Sequence, residues 1–134
     1  MTIEDYDGVY SLWQRTPGMG LGKADSREGI DMFLKRNPST SFVAVENGSI
    51  IGTALGGHDG RKGYIFHAAV ESSFQGRGIG KQLMGSVIEA LKSEGLQRLC
   101  LLVFKENSKG NEFWQATGWK KRDDLNYYIL DLNT

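Results

Sequence analysis

The sequence predicts an α/β domain in three layers, α/β/α, with a mixed, mostly antiparallel sheet of six to seven strands and about four helices. Three observations lead to this prediction. Amphipathic helical segments alternate with short apolar segments typical of strands. The pair Asn47-Gly48 between two such strand segments indicates a tight hairpin. Residues 64–94 combine a strand, a glycine-rich turn and a helix, and a further apolar run follows them. The sheet is therefore expected to consist of sequential hairpins with one right-handed β-α-β crossover.

Two helices are predicted before the first strand. The first covers residues 4–15, where one apolar stripe recurs at helical spacing: Tyr6, Val9, Tyr10 and Trp13. Residues 16–25 contain a proline and three glycines, which predicts a loop with little reason to hold one shape. Ser26 is a suitable N-cap for a second helix over residues 27–36, and Asn37-Pro38 ends that helix.

The rest of the chain predicts six strands and two further helices. Ile79 begins a helix that ends at Gly95, and Asn107 or Ser108 caps a shorter one that ends at Gly118. The expected strands, in chain order, cover residues 41–46, 49–55, 64–70, 97–104, 119–121 and 127–132.

Length and composition limit the functional classes. A chain of 134 residues is the size of one domain, and we expect residues 1–134 to form one. Sixteen basic and sixteen acidic residues cancel, so neither nucleic acid nor a membrane surface is an expected partner. No apolar stretch approaches the roughly 20 residues of a membrane span. Cys100 is the single cysteine and has no companion for a disulfide or a metal site, which favours the cytoplasm and predicts no metal.

The glycine-rich turn between strand and helix has the composition of an anion site. Glycines allow the backbone to approach a phosphate, and the first N–H groups of a helix have no partner within it. The spacing excludes a P-loop, which requires Gly-Lys-Ser/Thr after four residues, and a dinucleotide fingerprint, which would require glycine at Lys81. The pattern that fits is Gln-x-x-Gly-x-Gly, formed by Gln75, Gly78 and Gly80.

This pattern resembles the acetyl-CoA pyrophosphate loop of the GNAT superfamily of N-acetyltransferases. The later segment from Asn107 to Trp119 resembles the family's helix that contains an asparagine and ends in a Gly-aromatic step. The resemblance covers nearly the whole chain and implies that acetyl-CoA is the cosubstrate. Backbone groups of Ala68, Ala69 and Val70 would pair with its pantetheine arm, and Asn107 would contact its amide or carbonyl groups. The turn would hold the pyrophosphate through Gln75, Gly76, Arg77, Gly78, Ile79, Gly80 and Lys81.

The sequence departs from the family pattern at two places. Members usually begin with a strand before the first helix, and that strand is missing here, so residues 42–46 would form a sheet edge. A truncated start would explain this equally well, and an uncovered edge favours a homodimer. Many members carry a tyrosine near the Gly-aromatic step that protonates the departing thiolate, and here that position resembles Trp114, which the resemblance also implies as a contact to the cofactor. An indole N–H cannot give up a proton at neutral pH, so Tyr127, Tyr128 or water would have to supply it.

The resemblance implies direct attack of a primary amine on the thioester in a ternary complex. The amine would belong to a small molecule, a peptide or a protein, and it must first lose a proton. The candidate bases are His67 in the central strand, Glu71 after it and Glu46 at the hairpin. Specificity is expected in the loops at residues 16–25, 58–63 and 122–127. A non-catalytic acyl-CoA sensor of the same fold is the alternative, favoured by the absent tyrosine, whereas the spacing disfavours a nucleotide-binding enzyme.

Overall fold

The computed structural model describes residues 1–132, among which four helices and four strands are regular. The helices are α1 (Tyr6–Gln14), α2 (Arg27–Arg36), α3 (Ile79–Ser93) and α4 (Ser108–Ala116). The strands are β1 (Phe42–Glu46), β2 (Ser49–His58), β3 (Gly63–Val70) and β4 (Leu99–Leu101). Short 3-10 turns lie at Ile3–Asp5, Lys23–Asp25 and Ser72–Phe74. None of the helices described is long and apolar enough to cross a membrane.

The four strands form one sheet in the order β1-β2-β3-β4. Strands β1, β2 and β3 are antiparallel neighbours, and β4 joins β3 in parallel through α3. The predicted mixed, mostly antiparallel sheet with one crossover is therefore confirmed. The predicted hairpin at Asn47-Gly48 is confirmed as well, since both residues adopt the positive φ angles (50° and 78°) that a tight two-residue turn requires.

Helices cover both faces of the sheet, which confirms the three layers. Leu55 of β2 belongs to a buried cluster with side chains of α1 and α2, among them Trp13 and Leu34. On the opposite face α3 lies so close that a Cβ at Gly56 would approach Val87 of that helix to 2.7 Å and the Thr40 carbonyl oxygen to 2.5 Å. Strand β2 is consequently the centre of the core.

The number of strands was predicted wrongly. Among residues 1–132 the sheet has four strands instead of six to seven, because neither 119–121 nor 127–132 is a strand. β4 is present but covers less than the predicted residues 97–104. Apolar side chains in the last stretch are exposed, namely Leu125, Tyr127, Tyr128, Ile129, Leu130 and Leu132. Strand propensity alone does not form a strand, because each strand also needs a neighbour that completes its ladder of backbone hydrogen bonds.

The chain divides into two compact units. The first ends at Phe104 and holds the sheet with α1, α2 and α3, whereas the second begins at Lys105 and holds α4. The predicted helix caps are confirmed in both units. The Ser26 hydroxyl accepts a hydrogen bond from the Gly29 N–H (3.1 Å), and Asn107 Oδ1 accepts one from the Gly110 N–H (2.9 Å). That residues 1–134 act as one domain stays a prediction.

Candidate active site

Strand β3 contains a β-bulge at the predicted histidine. Phe66 pairs with Leu55 and Ala69 with Thr53, so two residues of β3, His67 and Ala68, lie opposite Ala54 alone. His67 takes a positive φ of 49°, a conformation that is sparsely populated for residues other than glycine. Bulges redirect side chains and are frequent beside active sites. A backbone strained at this point indicates that the placement of the His67 ring matters.

Beyond the bulge, β3 has a backbone edge that β4 does not cover. The parallel ladder joins Gly63, Tyr64 and Ile65 to Leu99, Cys100 and Leu101, and in the described part of the chain it extends no further. The predicted pantetheine-binding residues 68–70 follow this point. On their other side Ala69 and Val70 are paired with β2. The segment therefore offers one edge to which an extended ligand can add in the manner of a strand.

The glycine-rich turn leads from this edge into α3. Gly76 and Gly78 have φ angles of 82° and 80°, and Gly78 is the N-cap of the helix. A Cβ at either position would meet nothing within 4 Å, so the space outside the turn is open. Glycine is favoured at both positions because of the positive φ angle and not because a side chain would clash. The Gln75 side chain donates to the Val70 carbonyl (3.1 Å) and ties the turn to the end of β3.

Cationic side chains and helix N–H groups accompany the turn. The Arg77 guanidinium lies 4.9 Å from the ring centroid of Phe74, which holds the cation beside the turn. Ile79, Gly80 and Lys81 form the first turn of α3, whose N–H groups have no acceptor within the helix. Backbone donors, the positive end of the helix dipole and two cations together suit a phosphate group.

The His67 ring is hydrogen-bonded to Asp25, a partner that sequence reasoning missed. His67 Nε2 and Asp25 Oδ1 are 2.7 Å apart, and the two side chains are 19% and 13% exposed. The ring of Trp13 packs against the imidazole with a centroid distance of 4.8 Å. Asp25 lies in the loop predicted to be shapeless. The signal that could have identified it is an acid three residues after Gly22, the spacing of a capping box, and Asp25 does accept a hydrogen bond from the Gly22 N–H.

Glu71, the second predicted base, forms an ion pair with Arg15. Its Oε2 accepts from Arg15 Nε and Nη2 at 2.9 and 2.6 Å, while the guanidinium also donates to Ser11. The Glu71 N–H donates to the Ile51 carbonyl (2.7 Å). The residue therefore joins the end of α1 to the junction between β3 and the glycine turn. Glu46, the third candidate, is an exposed residue at the end of β1.

The other predicted site residues belong to the unit that begins at Lys105. Asn107 uses its side-chain oxygen to cap α4, as described above. Trp114 packs edge-on against Phe113 and Trp119, with ring centroids 5.0 and 5.4 Å away. Tyr127 is 72% exposed. In the described residues, no group of three or more His, Cys, Asp or Glu side chains is arranged to hold a metal ion.

Comparison with known proteins shows that the chain is similar to acetyltransferases. The profile of the acetyltransferase (GNAT) family matches residues 6–119. An acetyltransferase of Photorhabdus laumondii is 31% identical over 104 residues, which cover 78% of this chain and 72% of that protein. An acetyltransferase of Pectobacterium atrosepticum is also 31% identical over 104 residues, covering 78% of this chain and 73% of that protein.

Two solved structures share the fold. The PaiA N-acetyltransferase of Thermoplasma acidophilum, in complex with coenzyme A, has a TM-score of 0.78 at 20% identity and covers 92% of this chain and 88% of its own. The acetyltransferase AAC(6')-Iy, in complex with a bisubstrate analogue that joins CoA to acetylneamine, has a TM-score of 0.76 at 20% identity, with coverages of 98% and 95%. The predicted cosubstrate, acetyl-CoA, agrees with the coenzyme bound to these two proteins.

Proposed function

Because the chain belongs to the GNAT family of acetyltransferases, we propose that it transfers the acetyl group of acetyl-CoA directly to a primary amine. The membership confirms the resemblance seen in the sequence and the prediction of an acetyltransferase. The proposed acceptor is an amine of a small molecule or of a peptide or protein. The AAC(6')-Iy complex, whose analogue contains acetylneamine, supports a small-molecule amine.

One observation carries the proposal: the edge of β3 that β4 leaves uncovered is followed, after Glu71 and the 3-10 turn Ser72–Phe74, by the glycine turn. An extended arm ending in a diphosphate fits this combination. The arm would add along Ala68–Val70 by main-chain hydrogen bonds, and the diphosphate would lie against Gln75–Lys81. The predicted cofactor residues from Ala68 to Lys81 therefore belong to one stretch of the first unit, from the bulge to the start of α3.

The chemistry requires a neutral amine beside the thioester. The amine nitrogen attacks the thioester carbon, a C–N bond forms, the C–S bond breaks, and coenzyme A leaves as a thiolate that must acquire a proton. We assign His67 as the base that takes the proton from the amine, because its ring lies at the bulge beside the proposed cofactor edge. Backbone N–H groups along that edge would stabilise the oxyanion.

The remaining candidates receive different roles in the proposal. Since Glu71 is held by Arg15, we assign it to fixing the junction between β3 and the turn. Tyr127 remains the candidate donor of a proton to the thiolate, with Tyr128 or water as alternatives. Trp114 and Asn107 remain candidate contacts to the cofactor.

The first experiment is a calorimetric titration of the purified protein with acetyl-CoA, with NAD and ATP as controls. Saturable binding of acetyl-CoA alone is expected, and binding of NAD or ATP instead would contradict the assignment of the turn. Release of coenzyme A thiol is then measured with a panel of small amines and N-terminal peptides. Acetyl-CoA binding without turnover across the panel would favour the non-catalytic acyl-CoA sensor, which the tryptophan at position 114 also favours.

A further inference from the structure

We propose that Asp25 is a positioning residue for His67, which it holds in the tautomer that carries its proton on Nε2 and keeps a lone pair on Nδ1. Nδ1 is then the atom that takes the proton from the amine. The inference rests on the proposed function and deepens it, because it connects the loop at residues 16–25 to the catalytic base.

The tautomer follows from the chemistry of the hydrogen bond. An ionised carboxylate only accepts, so at 2.7 Å from Asp25 Oδ1 the His67 Nε2 must donate. The opposite tautomer would bring two lone pairs together in a largely buried place, where little water can relieve the repulsion. A neutral ring that is protonated on Nε2 keeps its basic lone pair on Nδ1.

Asp25 is itself held from two sides. Its Oδ2 accepts from the Gly22 N–H at 2.9 Å, and its backbone carbonyl accepts from the Tyr6 hydroxyl of α1 at 2.6 Å. Burial raises the pKa of Tyr6, which keeps that hydroxyl protonated and able to donate. The next residue, Ser26, caps α2. Each oxygen of the Asp25 carboxylate therefore has its own partner: Oδ1 bonds to His67 Nε2 and Oδ2 to the Gly22 N–H.

The imidazole is held on its other sides by the bulge and by an aromatic side chain. The positive φ of His67 sets the direction of its side chain, and Trp13, which is 1% exposed, packs on the ring. The Asp25 carboxylate contacts the ring from the loop, and the Tyr6 hydroxyl of α1 bonds to the Asp25 backbone carbonyl. Tyr10 stacks on Tyr6, and the β2 residue opposite the bulge, Ala54, is not ionisable. Asp25 is thus the charged partner that can orient the ring.

The substitution Asp25→Asn tests the inference sharply. The Gly22 N–H still needs an acceptor, so the asparagine oxygen is expected to turn to Gly22 and its NH2 group to His67. That NH2 group donates to Nε2 and selects the opposite tautomer, with the proton on Nδ1. The variant keeps the size and shape of the side chain. It replaces only the oxygen that accepts from His67 by an NH2 group that donates. Asp5→Asn is the matched control, because Asp5 Oδ2 accepts from the Thr2 N–H at 2.9 Å in the 3-10 turn Ile3–Asp5, at the same three-residue spacing as Asp25 and Gly22.

The first readout is nitrogen NMR of the imidazole rings in the protein without ligands. The chain has two histidines, and the variant His67→Gln identifies the signals of His67. We expect a protonated Nε2 in the wild type and in Asp5→Asn, and a protonated Nδ1 in Asp25→Asn. A wild-type ring protonated on Nδ1, or a tautomer unchanged by Asp25→Asn, would overturn the inference.

The second readout is kinetic. Loss of the correctly oriented base should lower kcat in Asp25→Asn by roughly 100-fold or more, with an unchanged Kd for acetyl-CoA, whereas Asp5→Asn should match the wild type. A reversed tautomer with unchanged kcat would overturn the positioning role. If the wild type acetylates no amine, the proposed function fails by itself, and the NMR result still supports or refutes the contact between Asp25 and His67.

Discussion

A glutamate at Gly78 should abolish binding of acetyl-CoA without unfolding the protein. Gly78 has a φ of 80°, and a side chain there points into open space, so Gly78→Glu adds backbone strain but no clash within the protein. The strain of a left-handed conformation is about 1–2 kcal/mol for a residue with a Cβ. Gly60→Glu is the matched control, because Gly60 has a φ of 92° and equally open surroundings at the turn between β2 and β3.

The two variants differ in what the new carboxylate faces. At Gly78 it would lie about 4 Å from a bound phosphate, where the repulsion of two unit charges is about 4 kcal/mol at an effective dielectric constant of about 20. This corresponds to a roughly 1000-fold increase in Kd. Gly60 lies past the other end of β3, a strand about 23 Å long at about 3.3 Å per residue, which is well beyond the screening length of about 8 Å at physiological salt.

Calorimetric titration with acetyl-CoA at physiological salt measures both variants, and thermal unfolding shows that each is folded. We expect no detectable heat of binding for Gly78→Glu and a wild-type Kd for Gly60→Glu, with similar losses of stability. A folded Gly78→Glu protein that binds acetyl-CoA within tenfold of the wild type would refute the assignment of the turn as the diphosphate site.

Three further predictions concern the base, the core and a helix cap. His67→Ala should flatten the acid limb of kcat/KM against pH, because the base must lose its proton before it can act; a profile of unchanged shape would demote His67 to a packing residue. Gly56→Ala should lower the free energy of unfolding in urea by about 1–3 kcal/mol, because its Cβ would meet the Thr40 carbonyl oxygen. The control is Gly85→Ala on the open face of α3, which should be neutral or stabilising by up to about 1 kcal/mol. Ser26→Ala should cost about 1 kcal/mol by the same measurement, and no loss would mean that the cap is dispensable.

Local chemistry made much of the fold predictable from the sequence. The hairpin at Asn47-Gly48, the caps at Ser26 and Asn107, and the glycine turn before α3 each depend on residues a few positions apart. Their conformations follow from the steric freedom of glycine and from the capacity of short polar side chains to bond to nearby N–H groups. The order of helices and strands up to β4 follows in the same way from hydrophobic periodicity.

Features that depend on distant partners were not predictable. The segments 119–121 and 127–132 have strand-forming composition, yet whether such a segment is a strand depends on a neighbouring ladder, and composition does not reveal one. The bulge in β3 exists because two of its residues lie opposite a single residue of β2. This pairing is a property of the two strands together and cannot be read from either strand alone.

The sequence by itself determined the family, the glycine-rich turn before α3 and the candidate histidine, because each is a matter of residue type and short spacing. Only the tertiary structure decided which neighbours that histidine has. Asp25 precedes it by 42 residues in a loop that looked shapeless, and the contact exists only because α1, α2 and β3 pack against one another. A residue type indicates what chemistry a side chain can perform, whereas packing determines which partner orients it and which of its atoms is left to react.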